Sequence, residues 1–446
     1  MRTLIKNGTV ITMNKKREKG VMSILIEDDI ITAIYPEGRF PGDVILPAEN
    51  TEVIDAAGKV ILPGFINGHI HADMLLCRGL GDGLTLHEQG GNSLPGRHSW
   101  FRKQLTYENR RIGREIQYME ALRSGTTYIC DFLFWAGVDE DVCSAFETTG
   151  IDGAAVIDYR NDFLFAETRK DSELRKIFEH IRKGGYQPML QGPSEESFDT
   201  ELLLALKSTA KRQDVKIMLH MAETKIREAM IVEKFGMTPV RYLNDIGFLS
   251  SNIIGSHGVY IDEDEARMLA DSGTTIVNSP VAEMKIADGA APVRMLLDRS
   301  IPVGLGTDGP LWNDSANMFG EMKTLMLLQR LKYGASSFSA YDALEAATIG
   351  GARAIGMDDE IGSIEVGKKA SLSIIEMNKV SLVPIYNGLA GNLIENIVSS
   401  AQPSDIDSVF VNGNPIIRKG EFATIDEMSR VERAQNVGNE LFSRLK

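Results

Sequence analysis

Cysteine is scarce in this chain of 446 residues: Cys77, Cys130 and Cys143 are the only three, an odd number with no C-x-x-C pair among them. A disulfide framework and a thiolate zinc site are thereby set aside, and a reducing cytoplasm is the expected compartment. Long apolar runs are missing as well. The first twenty residues, MRTLIKNGTVITMNKKREKG, hold no uninterrupted apolar stretch and soon turn basic. Nothing later supplies the ~20 apolar residues that a membrane span needs, so neither secretion nor membrane insertion is expected. Positive charge is in deficit, with 48 Lys and Arg against 62 Asp and Glu and a net charge of −14. The basic clusters (Lys15, Lys16, Arg17; Arg110, Arg111) are short, which argues against a nucleic-acid partner and for a small-molecule one.

What is present has two textures. From residue 1 to about 58, and again after residue 358, short alternating segments such as TLIKNGTVITM, SILIEDDIITAIYP and SVFVNGNPIIRKGEF are broken by turn residues, the pattern of hairpins. Both ends are expected to build one small β-sandwich, from residues 1–58 and 359–425. Between them, in residues 59–358, short apolar runs alternate with helical patterns. VILPGFINGHIH is followed by TTYICDF, GAAVIDY, PMLQGP, VKIMLH, NIIGSH, TTIVNSP and PVGLGTD. Eight strands separated by helices predict a (β/α)₈ barrel, whose active site lies where the strands end.

Polar residues stand at those ends. His69 and His71 close the first strand, and their i, i+2 spacing places both imidazoles on one face. His220 closes the fifth with Glu223 three residues on, His257 the sixth, and Asp308 the eighth. Imidazoles and a carboxylate suit a zinc-type or ferrous ion, and three or four such ligands with an open position describe a catalytic site. Of the other histidines, His87 and His98 fall in a glycine-rich loop after the first strand, where His87 is a candidate for substrate contact. His180 falls on a solvated helix, and the three cysteines read as small core residues.

The segments VILPGFINGHIH, HMAE, GTDG, NDSANMFGEMK, ATIGGARAIGM and IGSIEVGKKA, in that order, resemble the amidohydrolase superfamily. Within it the chain is similar to the branch of chlorohydrolases and deaminases that act on s-triazines and on adenosine-like compounds. The resemblance implies a single divalent metal, zinc first with iron or manganese as alternatives, because PMLQGPSEESF after the fourth strand offers no lysine to bridge a second ion. It implies His69, His71, His220 and Asp308 as ligands, Glu223 as proton shuttle and His257 as the group that orients the attacking hydroxide or polarises the substrate. The chemistry suits such a set. Removing an exocyclic amine from an aromatic ring needs a nucleophile that a metal supplies by lowering the pKa of its water to ~7. It also needs Asp308 to take the water's proton and Glu223 to protonate the ring nitrogen.

The sequence departs from that pattern in places. The loop GLGDGLTLHEQGGNSLPGRHSW lacks an early tryptophan, and NSPVAEMKI carries Glu283 where asparagine is common, so Ser279 and Glu283 are expected to meet a substrate group rich in donors. The function expected is hydrolytic deamination of an aminated N-heterocycle. Release of chloride or an alkylamine from a triazine, opening of a cyclic amide, and a non-catalytic barrel are the alternatives; a retained acid at Glu223 favours expelling an amine, which must leave protonated. Met318, Met322, Leu325 and Leu328 read as core packing or a seam between copies in a homo-oligomer. Residues 426–446 predict an amphipathic helix with Thr424 and Glu427 as a capping box and Met428, Val431, Ala434, Leu441 and Leu445 on one side, packed on the barrel or on a second subunit.

Overall fold

A computed structural model describes residues 2–37, 51–90, 103–133, 139–162, 165–386 and 391–444. His98, Leu445 and the second half of the glycine-rich loop, from residue 91 on, lie outside the described residues. Eight parallel strands close into a barrel: Phe65–Ile70, Thr126–Leu133, Asp152–Asp158, Gln187–Gln191, Ile217–Met221, Ile253–His257, Thr275–Asn278 and Val303–Leu305. The last pairs with the first at Leu305 and Asn67. Every residue of these strands but Gln187 is buried, which is why each reads as a continuous apolar run rather than an alternating one.

Both chain ends join one nine-stranded sheet. Its stitching strand is Lys59–Pro63, parallel to Arg2–Ile11 on one side and antiparallel to Leu372–Glu376 on the other. An ion pair of 2.6 Å between Lys59 and Asp407 adds to the join. The sheet keeps its own core of Ile5, Ile24, Ile61, Ile374 and Phe410. Since Phe65 already belongs to the barrel, the chain passes from sheet to barrel at Gly64, and whatever holds the sheet also fixes the start of the strand that carries His69 and His71.

The terminal helix spans Glu427–Ser443 and packs on the helix Tyr107–Arg123, as one of the two expected placements has it. Its cap differs from the expected one. Asp426 accepts from the amide of Ser429 at 3.1 Å, so the helix begins too late for a box between Thr424 and Glu427. Ala434 and Leu441 are buried, whereas Met428 and Val431 are 75% and 46% exposed. Ion pairs Arg123–Glu427, Arg430–Glu115 and Arg433–Glu108 hold the first turns instead. His180 is exposed on the helix Asp171–Lys183, and the three cysteines are buried, as expected of small core residues.

Candidate metal centre

The ends of the first and eighth strands are locked together by backbone. Thr307 and Asp308 both donate their amides to the carbonyl of His69, at 3.0 and 2.9 Å. Asn67 accepts from the Thr307 amide at 3.0 Å and donates to its hydroxyl at 2.8 Å, and Asn313 donates to the Thr307 carbonyl at 2.7 Å. So close an approach requires glycine at 306, where a Cβ would lie 2.6 Å from that of His69. Ala222, His257 and Asp308, at or just past three strand ends, have φ of 50°, 77° and 60°. Left-handed backbone at non-glycine residues stores strain of about 1–3 kcal/mol each, and it persists where the surroundings over-determine a functional geometry.

The imidazoles of His69, His71, His220 and His257 and the carboxylate of Asp308 converge in one buried cluster. Two triads share His69: ligand atoms of His69, His71 and Asp308 lie within 4.8 Å of one another, and so do those of His69, His220 and His257. Asp308 Oδ1 stands 3.4 Å from His69 Nε2 and 3.3 Å from His71 Nε2. Two ligands held tetrahedrally at ~2.1 Å from one ion are themselves ~3.4 Å apart, so these spacings fit a shared cation better than a hydrogen bond. Asp308 Oδ1 and His69 Nε2 are buried without a hydrogen-bond partner among the described residues, while Ser256 Oγ, 3.2 Å from His69 Nδ1, fixes the ring from behind.

Charge agrees with geometry. Burial pushes the pKa of His69 down, and burial with the neighbouring imidazoles pushes that of His220 well below its usual value, so both are neutral and able to ligate. Burial works to raise Asp308, but the imidazoles beside it hold its pKa at about 2. His257 differs: burial opposes its charge, yet Glu223, Glu283 and Asp308 raise it to about 10. The cavity thus has an excess of carboxylate that a divalent cation would balance.

Glu223 is buried, with Oε1 3.7 Å from His257 Nε2 and Oε2 accepting from Arg227. Arg227 also holds Glu196 at 2.8 Å, and Glu195 accepts the amides of Ala222 at 2.7 Å and Glu223 at 3.4 Å. Burial raises Glu195 to about 7. In the sequence, SEES stands out only for the lysine it lacks. His87 sits on a short helix, Leu86–Gly90, half-buried, with Nε2 3.2 Å from the hydroxyl of Thr224, the neighbour of Glu223. Ser279 is fully buried and its hydroxyl has no hydrogen-bond partner among the described residues.

Glu283 is placed differently from what a substrate contact requires. Its oxygens accept from the side-chain Nδ2 of Asn278 at 2.7 and 2.9 Å and from the backbone amide of Ser279 at 3.1 Å, and Oε1 stands 3.5 Å from His257 Nδ1. It positions His257 from behind. Trp312, which no sequence motif marked, stands edge-on to His71 with ring centres 5.3 Å apart and supplies an aromatic wall.

A second layer lies under the His-x-His turn. Asp131 accepts from the Ala72 amide at 3.0 Å, from Arg114 Nε at 3.0 Å and from Tyr118 at 2.7 Å, and Asp73 takes Arg110 at 3.0 Å. Burial raises Asp131 to about 6, against the pull of Arg114. Asp131→Ala leaves the fully buried Arg114 short of its main partner, so a loss of about 3–5 kcal/mol is expected in denaturant unfolding. A loss below about 1 kcal/mol would show that the network does not hold this turn.

The sequence profile described as the amidohydrolase family matches residues 60–416. A 5-methylthioadenosine/S-adenosylhomocysteine deaminase of Clostridium tetani is 31% identical over 99% of this chain and 100% of its own length. A 5'-deoxyadenosine deaminase of Methanosarcina mazei is 30% identical over 99% of each. Among solved structures, an adenosine deaminase from Xanthomonas campestris with bound zinc superposes with a TM-score of 0.87 at 24% identity, covering 99% of this chain and 98% of that one. A triazine hydrolase variant gives 0.86 at 23% identity over 98% and 99%. With the barrel, the two histidines that close its first strand and a match extending over most of its length, the chain belongs to the amidohydrolase family.

Proposed function

We propose that the protein is a metal-dependent hydrolytic deaminase of adenosine-like nucleosides, with residues 59–358 as its catalytic unit and the cytoplasm as its compartment. His69, His71, His220 and Asp308 hold one divalent ion, zinc in the first place. The observation that carries the reading is the pair of 3.3–3.4 Å spacings from Asp308 Oδ1 to two imidazoles, with the Glu223 carboxylate 3.7 Å from the neighbouring His257. The deaminases named above, aligned over nearly the whole chain, support the substrate class.

When bound, the ion supplies water that is readily deprotonated at neutral pH. Asp308, ionised, accepts a proton from the attacking water. Glu223 takes the water's other proton and gives it to the ring nitrogen, then receives the proton held on Asp308 and passes it to the departing amine, and Arg227 fixes its direction. His257, gripped by Glu223 and Glu283, aligns the attacking oxygen. Burial of all these groups keeps bulk water from competing for the protons.

Ammonia and chloride release measured together separate the reading from its rival. With 5'-methylthioadenosine, 5'-deoxyadenosine and S-adenosylhomocysteine, against chlorinated and aminated triazines, ammonia from the nucleosides is expected to exceed chloride release by roughly 10²-fold in kcat/KM. Faster chloride release would replace this reading with the chlorohydrolase one.

A further inference from the structure

The wall of the site carries one more acid, which the mechanism does not use. Asp288 lies beyond the helix Pro280–Lys285 that follows the seventh barrel strand. Its backbone is held at both ends: its amide donates to the carbonyl of Glu283 at 2.9 Å, and its carbonyl accepts from the hydroxyl of Tyr260. Tyr260 in turn donates its amide to Ala222 at 2.9 Å, next to Glu223. The residues on either side have left-handed backbone, with φ of 60° at Ala287 and 137° at Gly289. Such strain at a non-glycine residue marks a position that the fold enforces.

The side chain is 7% exposed, close to the 9% of His220, and its Oδ2 is buried without a hydrogen-bond partner among the described residues. The charged groups that act on it are Glu223, His257, Glu283 and Arg227, all members of the site. A buried carboxyl oxygen left without a donor is costly, and a rigid one beside the reacting groups is most simply completed by a ligand. Burial and the charge of Glu223 raise its pKa to about 8, against the pull of His257 and Arg227, and a donor from a bound substrate would favour its charged, accepting form.

We propose that Asp288 is a substrate-contacting residue that accepts a hydrogen bond from an N–H or O–H of the substrate, and thereby selects donor-bearing nucleosides over analogues that lack the donor. The proposal rests on the deaminase reading. The carboxylate that the sequence placed at Glu283 for a donor-rich substrate is supplied five residues later. Two parts of a nucleoside can furnish the donor, a sugar hydroxyl or the exocyclic amino group.

The test uses adenosine, 2',3'-dideoxyadenosine and N6,N6-dimethyladenosine, with the wild type and the Asp288→Ala and Asp288→Asn variants, deamination being followed as formation of the hydroxylated base. Asp288→Ala is expected to raise KM for adenosine by about 10- to 100-fold with kcat within about threefold and metal content unchanged. Asp288→Asn, which keeps an acceptor oxygen, recovers part of that loss. The analogue that lacks the relevant donor should show the same KM in wild type and variant; indifference of the dideoxy compound assigns the 2'- or 3'-hydroxyl of the sugar, and indifference of the N6,N6-dimethyl compound assigns the amino group. An equal rise in KM on all three probes, or a fall in kcat or metal content at constant KM, would overturn the proposal in favour of a structural role. If the wild type converts none of the probes, the deaminase reading falls. Nucleoside-induced thermal shifts then judge Asp288 alone, and equal shifts in wild type and Asp288→Ala, or none in either, overturn it.

Discussion

His69→Ala is expected to yield a folded protein that has lost its metal and, with it, turnover by at least about 10⁴-fold. His69 belongs to both ligand triads, so deleting its ring opens each of them at once. The fold should survive, because the groups that lock Asp308 beside the first strand use the carbonyl of residue 69 and the side chain of Asn67, not the imidazole. His220→Ala removes a ligand from one triad alone and should retain more metal at saturating concentrations, with a weaker affinity by 10²-fold or more. Elemental analysis after dialysis, alongside circular-dichroism melts, reads both effects, the wild type being expected to carry about one equivalent per chain. Two equivalents in the wild type, or a full complement in His69→Ala, would remove the single-ion assignment.

The histidines and Asp308 were legible because a barrel strand buried on both faces has no other use for a polar residue at its C-terminal end. Each one interrupts an apolar run just where the run should stop. Residues that reach the site through tertiary pairing left no such mark. Arg110 read as part of a short basic cluster, yet it is buried against Asp73, and Arg114 and Asp131 look from the sequence like ordinary helix and strand residues. Glu283 was visible as a departure, but spacing along the chain says nothing of which way a carboxylate turns, and it turns to Asn278 and His257 rather than to open space. The terminal helix shows the same limit on a smaller scale. Thr424 and Asp426 are both good caps by residue type, and the ion pairs that seat the helix against Tyr107–Arg123 decide where its first turn begins.

Glu223→Gln is expected to keep metal and fold while lowering kcat by about 10²- to 10⁴-fold. Glutamine retains the size of the side chain and an oxygen that can accept from Arg227, and Arg227 keeps Glu196 at 2.8 Å, so no buried cation is stranded. Glu195 still accepts the amides of residues 222 and 223, which leaves the strand end in place. What glutamine cannot do is carry a proton, and Asp308, the other proton carrier, is already occupied by the one it takes from the water. The size of the loss should therefore depend on the leaving group. An amine must depart protonated and should show the full effect, whereas chloride leaves without a proton and should lose only the part due to protonating the ring. Single-turnover rates for aminated and chlorinated forms of one heterocycle, in protein of verified metal content, make the comparison direct. A rate near that of wild type for the aminated form would mean that another group moves the proton, and the role given to Glu223 would have to be withdrawn.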